Sequence, residues 1–252
     1  MKTLSGAQLD FYREQGYLVI QPFLSDSEVG RLKSAILRVA SERADSTIDH
    51  GGFNLERARD AEGDISSGVP IQPGLLRKIQ EVTECVPEVA EFCASDRALD
   101  LVEDLIGPDI YYHSSKVMFK PASHGSAKPW HQDHGYWSDT KPEQVTLWLA
   151  LDDASPENGC VRLIPGSHRW GPIRHYKKEL QVDEEGLPKA PMLVAAMRAG
   201  SLLAFHALTL HSSLPNRSDR SRWALLLTYD PNPRGAAQGF AGDRALRLRR
   251  TG

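Results

Sequence analysis

A change of pattern near residue 108 constrains the fold most. From Tyr111 onward, apolar residues alternate or fall in short runs: Tyr111, Tyr112, Val117 and Phe119, then Val145, Leu147, Leu149 and Leu151. Cys160 to Ile164, Ser201 to Phe205 and Trp223 to Tyr229 repeat the habit, with Pro, Gly and Asn between them. Alternation places every second side chain on one face of an extended segment. Many short strands bounded by turns predict a β-sandwich or barrel.

Before residue 108 the pattern is mostly helical. Ser5 with Gln8 predicts a capping box, and Gly16 a helix stop. Tyr17-Leu18-Val19-Ile20 reads as a short strand ended by Pro22. Ser25-Asp26-Ser27-Glu28 opens a second helix, with Val29, Leu32, Ile36, Leu37 and Ala40 at helical spacing. Two more helices are expected over about 74–94 and 96–106, the latter ended by Gly107-Pro108. Residues 45 to 73 are polar and rich in Gly, Asp and Ser, which suits a long mobile loop over a site or a weakly ordered insertion. No linker divides the halves. Residues 1–252 therefore read as one domain, with helices up to about 107 on a β-core of about 108–230 and a C-terminal tail of about 231–252.

The formal net charge of −3 gives no reason to expect nucleic acid or an anionic membrane as partner. Arg244, Arg247, Arg249 and Arg250 read as a solvated basic tail. No apolar run reaches membrane-spanning length, and the first residues lack a secretory h-region. Cys85, Cys93 and Cys160 are odd in number and lack Cys-x-x-Cys spacing, so buried free thiols in the cytoplasm are expected.

The stretch richest in chemistry is Trp130-His131-Gln132-Asp133-His134. If it is extended, His131 and Asp133 share a face and Gln132 points the other way. An imidazole beside a carboxylate supplies two ligands of the 2-His-1-carboxylate triad of non-haem Fe(II) oxygenases. His211, eighty positions on and after the apolar strand Ser201 to Phe205, is the best third ligand, with His206 as rival. Arg222 enters the apolar strand Trp223-Ala224-Leu225-Leu226-Leu227. A buried Arg there needs an anion, and its planar fork suits a carboxylate; Arg217 and Arg220 are its rivals.

Together with Glu157-Asn158-Gly159-Cys160, Pro165-Gly166-Ser167-His168, His211-Ser212-Ser213-Leu214-Pro215-Asn216-Arg217-Ser218 and the opening Gln15-Gly16-Tyr17-Leu18-Val19-Ile20, these residues resemble the phytanoyl-CoA dioxygenase (PhyH) family over most of residues 8–230. The resemblance implies a mainly β fold with flanking α-helices, built on a double-stranded β-helix (a cupin-like jelly-roll). It implies Fe(II) held by His131, Asp133 and His211. The 2-oxoglutarate co-substrate would be bound by Arg222, with Ser213, Trp148 and Lys116 alongside. O2 would be consumed with release of succinate and CO2 as a C–H bond of a small metabolite is hydroxylated. Related halogenases lack the carboxylate ligand, so Asp133 favours hydroxylation. His134, Tyr136, Trp137 and His113 are candidates for the substrate side.

Plainer readings stand beside these. His131 and Asp133 suit a surface turn, His211 a core histidine, and Trp148 ordinary strand packing. Pro165 to His168 and Asn158-Gly159 suit turns. A cupin-like metal enzyme independent of 2-oxoglutarate, or a non-catalytic metal- or ligand-binding barrel, remain alternatives. Arg222 separates the first of these from the oxygenase, because a zinc hydrolase needs no carboxylate clamp.

Overall fold

Two capping boxes open the chain. In a computed structural model describing residues 2–42, 51–56, 75–137, 141–176, 181–232 and 247–249, the Ser5 hydroxyl accepts from the Gln8 N–H as α1 (Gly6–Gln15) begins. Ser25 does the same for Glu28 at α2 (Asp26–Ser41). Gly16 ends α1 in the left-handed region, and β1 (Tyr17–Ile20) follows. Val29, Leu32, Ile36 and Ala40 of α2 are buried, but Leu37 is 54% exposed and lies off the apolar stripe.

The expected helix over 74–94 is corrected. Residues Leu76–Gln80 form strand β3, paired with β2 (Phe53–Leu55) and β4 (Ile110–Lys120). Helices α3 (Val82–Cys85) and α4 (Pro87–Cys93) come only afterwards, then α5 (Asp96–Ile106) as expected. The β2–β3 pairing also corrects the picture of 45–73 as loop throughout. The rest of that stretch, apart from 51–56, lies outside the described residues.

The remaining strands are β5 (Lys128–His131), β6 (Val145–Ala150), β7 (Val161–Leu163), β8 (His175–Tyr176), β9 (Gln181–Val182) and β10 (Leu193–Ala195). They are followed by β11 (Leu202–His206), β12 (His211–Ser213), β13 (Arg222–Asp230) and β14 (Arg247–Arg249). An eight-stranded sheet runs β1-β11-β6-β13-β4-β3-β2, with β14 on β4. That pairing corrects the solvated-tail reading for 247–249; Arg244 and Arg250 lie outside the described residues. A second sheet runs β10-β7-β12-β5.

Alternation assigns the two faces of the large sheet. Leu147, Leu149, Leu225 and Leu227 join Leu9, Val29, Leu32, Ile36 and Leu101 of the helices in one core. Trp148, Ala150, Leu203, Phe205, Ala224 and Leu226 turn the other way, to meet Val161, Leu163 and Ala195 of the small sheet. Two antiparallel sheets packed face to face, with helices on the outside, make the jelly-roll. Helices and sheet share one core because neither buries its apolar face alone. Cys93 and Cys160 are buried free thiols, whereas Cys85 is half-buried.

The Pro165 to His168 turn docks on the end of α1. Gly166 is left-handed (φ 75°), and His168 Nε2 donates to the Arg13 carbonyl at 3.0 Å. A Cβ on Gly16, itself at φ 75°, would lie 2.3 Å from the His168 ring, so only glycine fits there. These two stretches of the family resemblance are thus joined in space, and Ser167 of the turn accepts the Leu210 N–H beside His211.

Candidate metal centre

The ladder of the small sheet sets His211 of β12 directly opposite His131 of β5. Two histidines eighty positions apart in sequence thus lie on neighbouring strands. Strand β5 stops at His131, Gln132 is still extended (φ −106°, ψ 137°), and Asp133 opens a 3-10 turn, Asp133–Tyr136. One extended residue suffices to return Asp133 to the side of His131. Gln132 points away and is fixed there: its amide donates to the Gly171 and Leu208 carbonyls, and its oxygen accepts from the Ile173 N–H.

Each histidine is oriented in the same way. His131 Nδ1–H donates to the Pro129 carbonyl and His211 Nδ1–H to the Thr209 carbonyl, both at 2.9 Å. A carbonyl only accepts, so Nδ1 carries the proton and Nε2 the lone pair. Both Nε2 atoms face Asp133 Oδ1 at 3.9 Å. The other carboxylate oxygen, Oδ2, accepts from Thr146 Oγ1 at 2.9 Å, and Thr146 in turn meets Thr228 at 3.2 Å. Sequence reasoning missed Thr146; the available signal was a single hydroxyl in the otherwise apolar strand Val145–Ala150.

All three side chains are buried, and their donor atoms lie within 4.8 Å of one another. Burial above all, then His211 and Lys128, holds the His131 imidazole well below its ordinary pKa; burial lowers His211 too. Burial would raise the Asp133 carboxyl, but Lys116, His211, Thr146 and Lys128 outweigh it and leave it below the usual value. Near neutrality the site is two neutral imidazoles and a carboxylate. Three lone-pair donors converge with no proton between them, and such a set calls for a cation. Nitrogen and carboxylate ligands of this kind suit divalent iron.

A cavity of about 900 Å³ opens beside these ligands, between the two sheets. Arg222 reaches it because Arg222, Ala224 and Leu226 share one face of β13. Arg222 is 2% exposed and its guanidinium donates to the Gly159 carbonyl at 3.1 Å, while among the described residues its Nε and Nη1 have no partner. Gly159 is left-handed (φ 79°), and a Cβ there would lie 2.3 Å from the Leu214 carbonyl. Trp148 lies under the guanidinium, 5.3 Å from ring centroid to Cζ. Burial lowers the Arg222 pKa to about 10, so the group stays charged at neutral pH. Buried donors left over on a cation fit a carboxylate.

Ser213 and Lys116 also line the cavity, Ser213 on the same face of β12 as His211. Lys120, missed from sequence, lines it with its ammonium donating to the Ser126 and Leu214 carbonyls. Of the substrate-side candidates, His113, Tyr136 and Trp137 line the cavity. His134 does not: it is buried beside Ala207, which accepts its backbone N–H. The rival His206 accepts the Leu208 N–H on its Nδ1 and packs against His168, apart from the ligand cluster.

The phytanoyl-CoA dioxygenase (PhyH) family model matches residues 12–224, and the chain belongs to that family. It is 27% identical to a probable alpha-ketoglutarate-dependent hypophosphite dioxygenase of Stutzerimonas stutzeri, covering 86% of this chain and 76% of the relative. It is 28% identical to an L-proline trans-4-hydroxylase of Streptomyces griseoviridis, over 87% of this chain and 84% of that one. Among solved structures, EctD from S. alaskensis with 2-oxoglutarate and 5-hydroxyectoine superposes with a TM-score of 0.75 at 24% identity, covering 98% of this chain and 88% of the other. That likeness gives the same jelly-roll fold. Among the described residues, no helix is long and apolar enough to cross a membrane.

Proposed function

We propose that the protein is an Fe(II)- and 2-oxoglutarate-dependent oxygenase that hydroxylates an unactivated C–H bond of a small organic metabolite. The observation that carries this reading is the pairing of two complementary sites on one cavity. One is an acceptor-only trio, His131, Asp133 and His211, and the other is a buried guanidinium with donors to spare, Arg222. A zinc hydrolase accounts for the first and not the second.

The chemistry that iron, 2-oxoglutarate and O2 supply when bound is oxidative decarboxylation to succinate and CO2, coupled to oxidation of a C–H bond. The chain's own residues bind, orient and shield. The carbonyls of Pro129 and Thr209 fix the tautomer of each histidine, so the Nε2 lone pairs are ready for the metal before it arrives. Thr146 occupies Asp133 Oδ2 and leaves Oδ1 for the metal. Arg222 anchors the distal carboxylate of 2-oxoglutarate, with the Trp148 ring holding the guanidinium plane and Ser213 adding a hydroxyl. Lys116 neutralises charge on the same ligand set. The apolar wall of Phe205, Leu226 and Val161 excludes water, which strengthens each of these interactions. We read residues 1–252 as one oxygenase domain acting in the cytoplasm; the shared helix–sheet core and the free thiols support that reading.

The test is 2-oxoglutarate-dependent succinate release by the Fe(II)-loaded protein. His131→Ala or Asp133→Ala abolishes it. Unchanged release in either variant contradicts the ligand assignment.

A further inference from the structure

The cavity continues past the metal centre toward β3 and β4; on that side Lys116 already serves the 2-oxoglutarate site, whereas His113, Trp137 and Lys128 have been given no role toward iron or 2-oxoglutarate. His113 is the first of them. In the β4–β13 ladder, Ser114 faces Thr228 and Tyr112 faces Tyr229, so His113 is the extra residue of a β-bulge. Bulges beside active sites re-aim side chains. His113 is 1% exposed, lines the cavity, and its Nε2 has no hydrogen-bond partner among the described residues. Its Nδ1 lies 3.3 Å from Ser114 Oγ, and its ring packs on Trp137 with centroids 4.2 Å apart. A buried polar atom without a partner is costly, and the residue that carries this one borders the cavity.

Charge is the second observation, and it is independent of the first. The ammonium groups of Lys128 and Lys116 approach the Tyr136 ring from 5.3 and 5.9 Å, and that ring stands 6.0 Å from the ring of His131. Two cations therefore border the approach to the metal ligands. Two acidic residues, Glu81 and Glu84, line the same side, and Glu81 is engaged by the Tyr112 hydroxyl and the Gln80 amide.

We propose that this part of the cavity is a subsite for a small organic anion, whose carboxylate or phosphate-type oxyanion is drawn to Lys128 and Lys116 while a polar group of the same molecule hydrogen-bonds to His113 Nε2. The inference rests on the oxygenase reading and names the substrate class for it. Trp137 and Tyr136 would cover the apolar part of the molecule. A lysine, being a compact charge without a fork, accepts either kind of oxyanion.

The experiment first separates the two readings. Protein loaded anaerobically with Fe(II) and 2-oxoglutarate is examined for the visible charge-transfer band of that complex. If wild type gives no band, the oxygenase reading fails and this inference falls with it. With the band in place, matched pairs are titrated and its perturbation followed: hexanoate against hexanamide, benzoate against benzamide, methylphosphonate against its neutral dimethyl ester. The anion of at least one pair binds about tenfold tighter than its neutral partner, or better. Which pair discriminates tells carboxylate from phosphonate. Lys128→Gln erases the discrimination and Lys128→Arg keeps it. His113→Ala weakens the preferred anion about tenfold, and His113→Gln recovers part of the loss. Equal binding within every pair, no binding by any anion, or discrimination that survives in Lys128→Gln overturns the subsite. Unaltered binding in His113→Ala removes His113 from it.

Discussion

The two sheets contribute to one cavity in different ways. The large sheet builds its central strands from residues buried on both faces: all six residues of β6 are buried, as are eight of the nine in β13. On β6 and β13 the polar groups that serve the site, Thr146 and Arg222, are held by that packing, while β4 adds His113, Lys116 and Lys120 to the cavity wall. The small sheet has strands of three or four residues, and an outer strand, β10, whose Val194 is 38% exposed. It nonetheless supplies both histidines. The difference teaches that here the large sheet provides stability, while the small sheet provides register: one ladder pairing, His131 opposite His211, is what the chemistry needs.

That division can be tested from its strongest consequence downward. On the small-sheet side, Asp133→Ala abolishes iron-dependent turnover while the far-ultraviolet circular dichroism stays that of the folded protein. Unfolding of this variant would mean that the site also holds the fold together. On the large-sheet side, Arg222→Ala raises the 2-oxoglutarate concentration needed for half-maximal turnover by roughly 100-fold, in line with loss of one side of a buried charge pair. Iron binding is retained, and its loss would make Arg222 structural. Leu149→Ala, fully buried in the helix-facing core, costs about 3 kcal/mol in denaturant unfolding. Val194→Ala on β10 costs roughly 0.5 kcal/mol or less. Equal costs would erase the distinction between the sheets.

The smallest effect with a defined pH signature sits in the helical layer. The Ser25 backbone N–H and hydroxyl, and then Arg97, hold the Glu28 carboxyl down at about 2. A carboxyl depressed in the folded state adds stability that is complete above its unfolded value and is lost as pH falls through about 2. Glu28 is exposed, so solvent screening limits the loss in Glu28→Gln to about 1 kcal/mol or less at neutral pH. The gap between variant and wild type closes as the pH falls from 4.5 toward 2. A constant gap across that range would rule out the capping box as its origin.

Much of this was legible in the sequence, and the exceptions have physical causes. Caps are local, so Ser5, Gly16 and Ser25 announced α1 and α2. Strands buried on one or both faces keep a period that composition cannot hide, so β6, β11 and β13 were readable. Strand β3 was not, because the β2–β3 ladder shifts register between Leu76 and Lys78, leaving Arg77 as the extra residue. The shift puts Leu76 and Ile79 both inside, and a spacing of three imitates a helix. The candidate site was legible because His-x-Asp, a distant His and an Arg entering an apolar strand are each chemically demanding. Thr146 and Gln132 were not, since what they do depends on which strand or turn lies opposite. His134 was misplaced from the cavity because the chain leaves β5 for a 3-10 turn, where alternation no longer assigns faces.

On the reading proposed above, one ladder pairing makes a metal site from two histidines and a carboxylate. Anaerobic Fe(II) titration of wild type and His211→Ala tests it most directly. Wild type is expected to bind one Fe(II) per chain, and a His211→Ala protein that remains folded to bind none. Iron bound with the same stoichiometry and affinity in both proteins would contradict it.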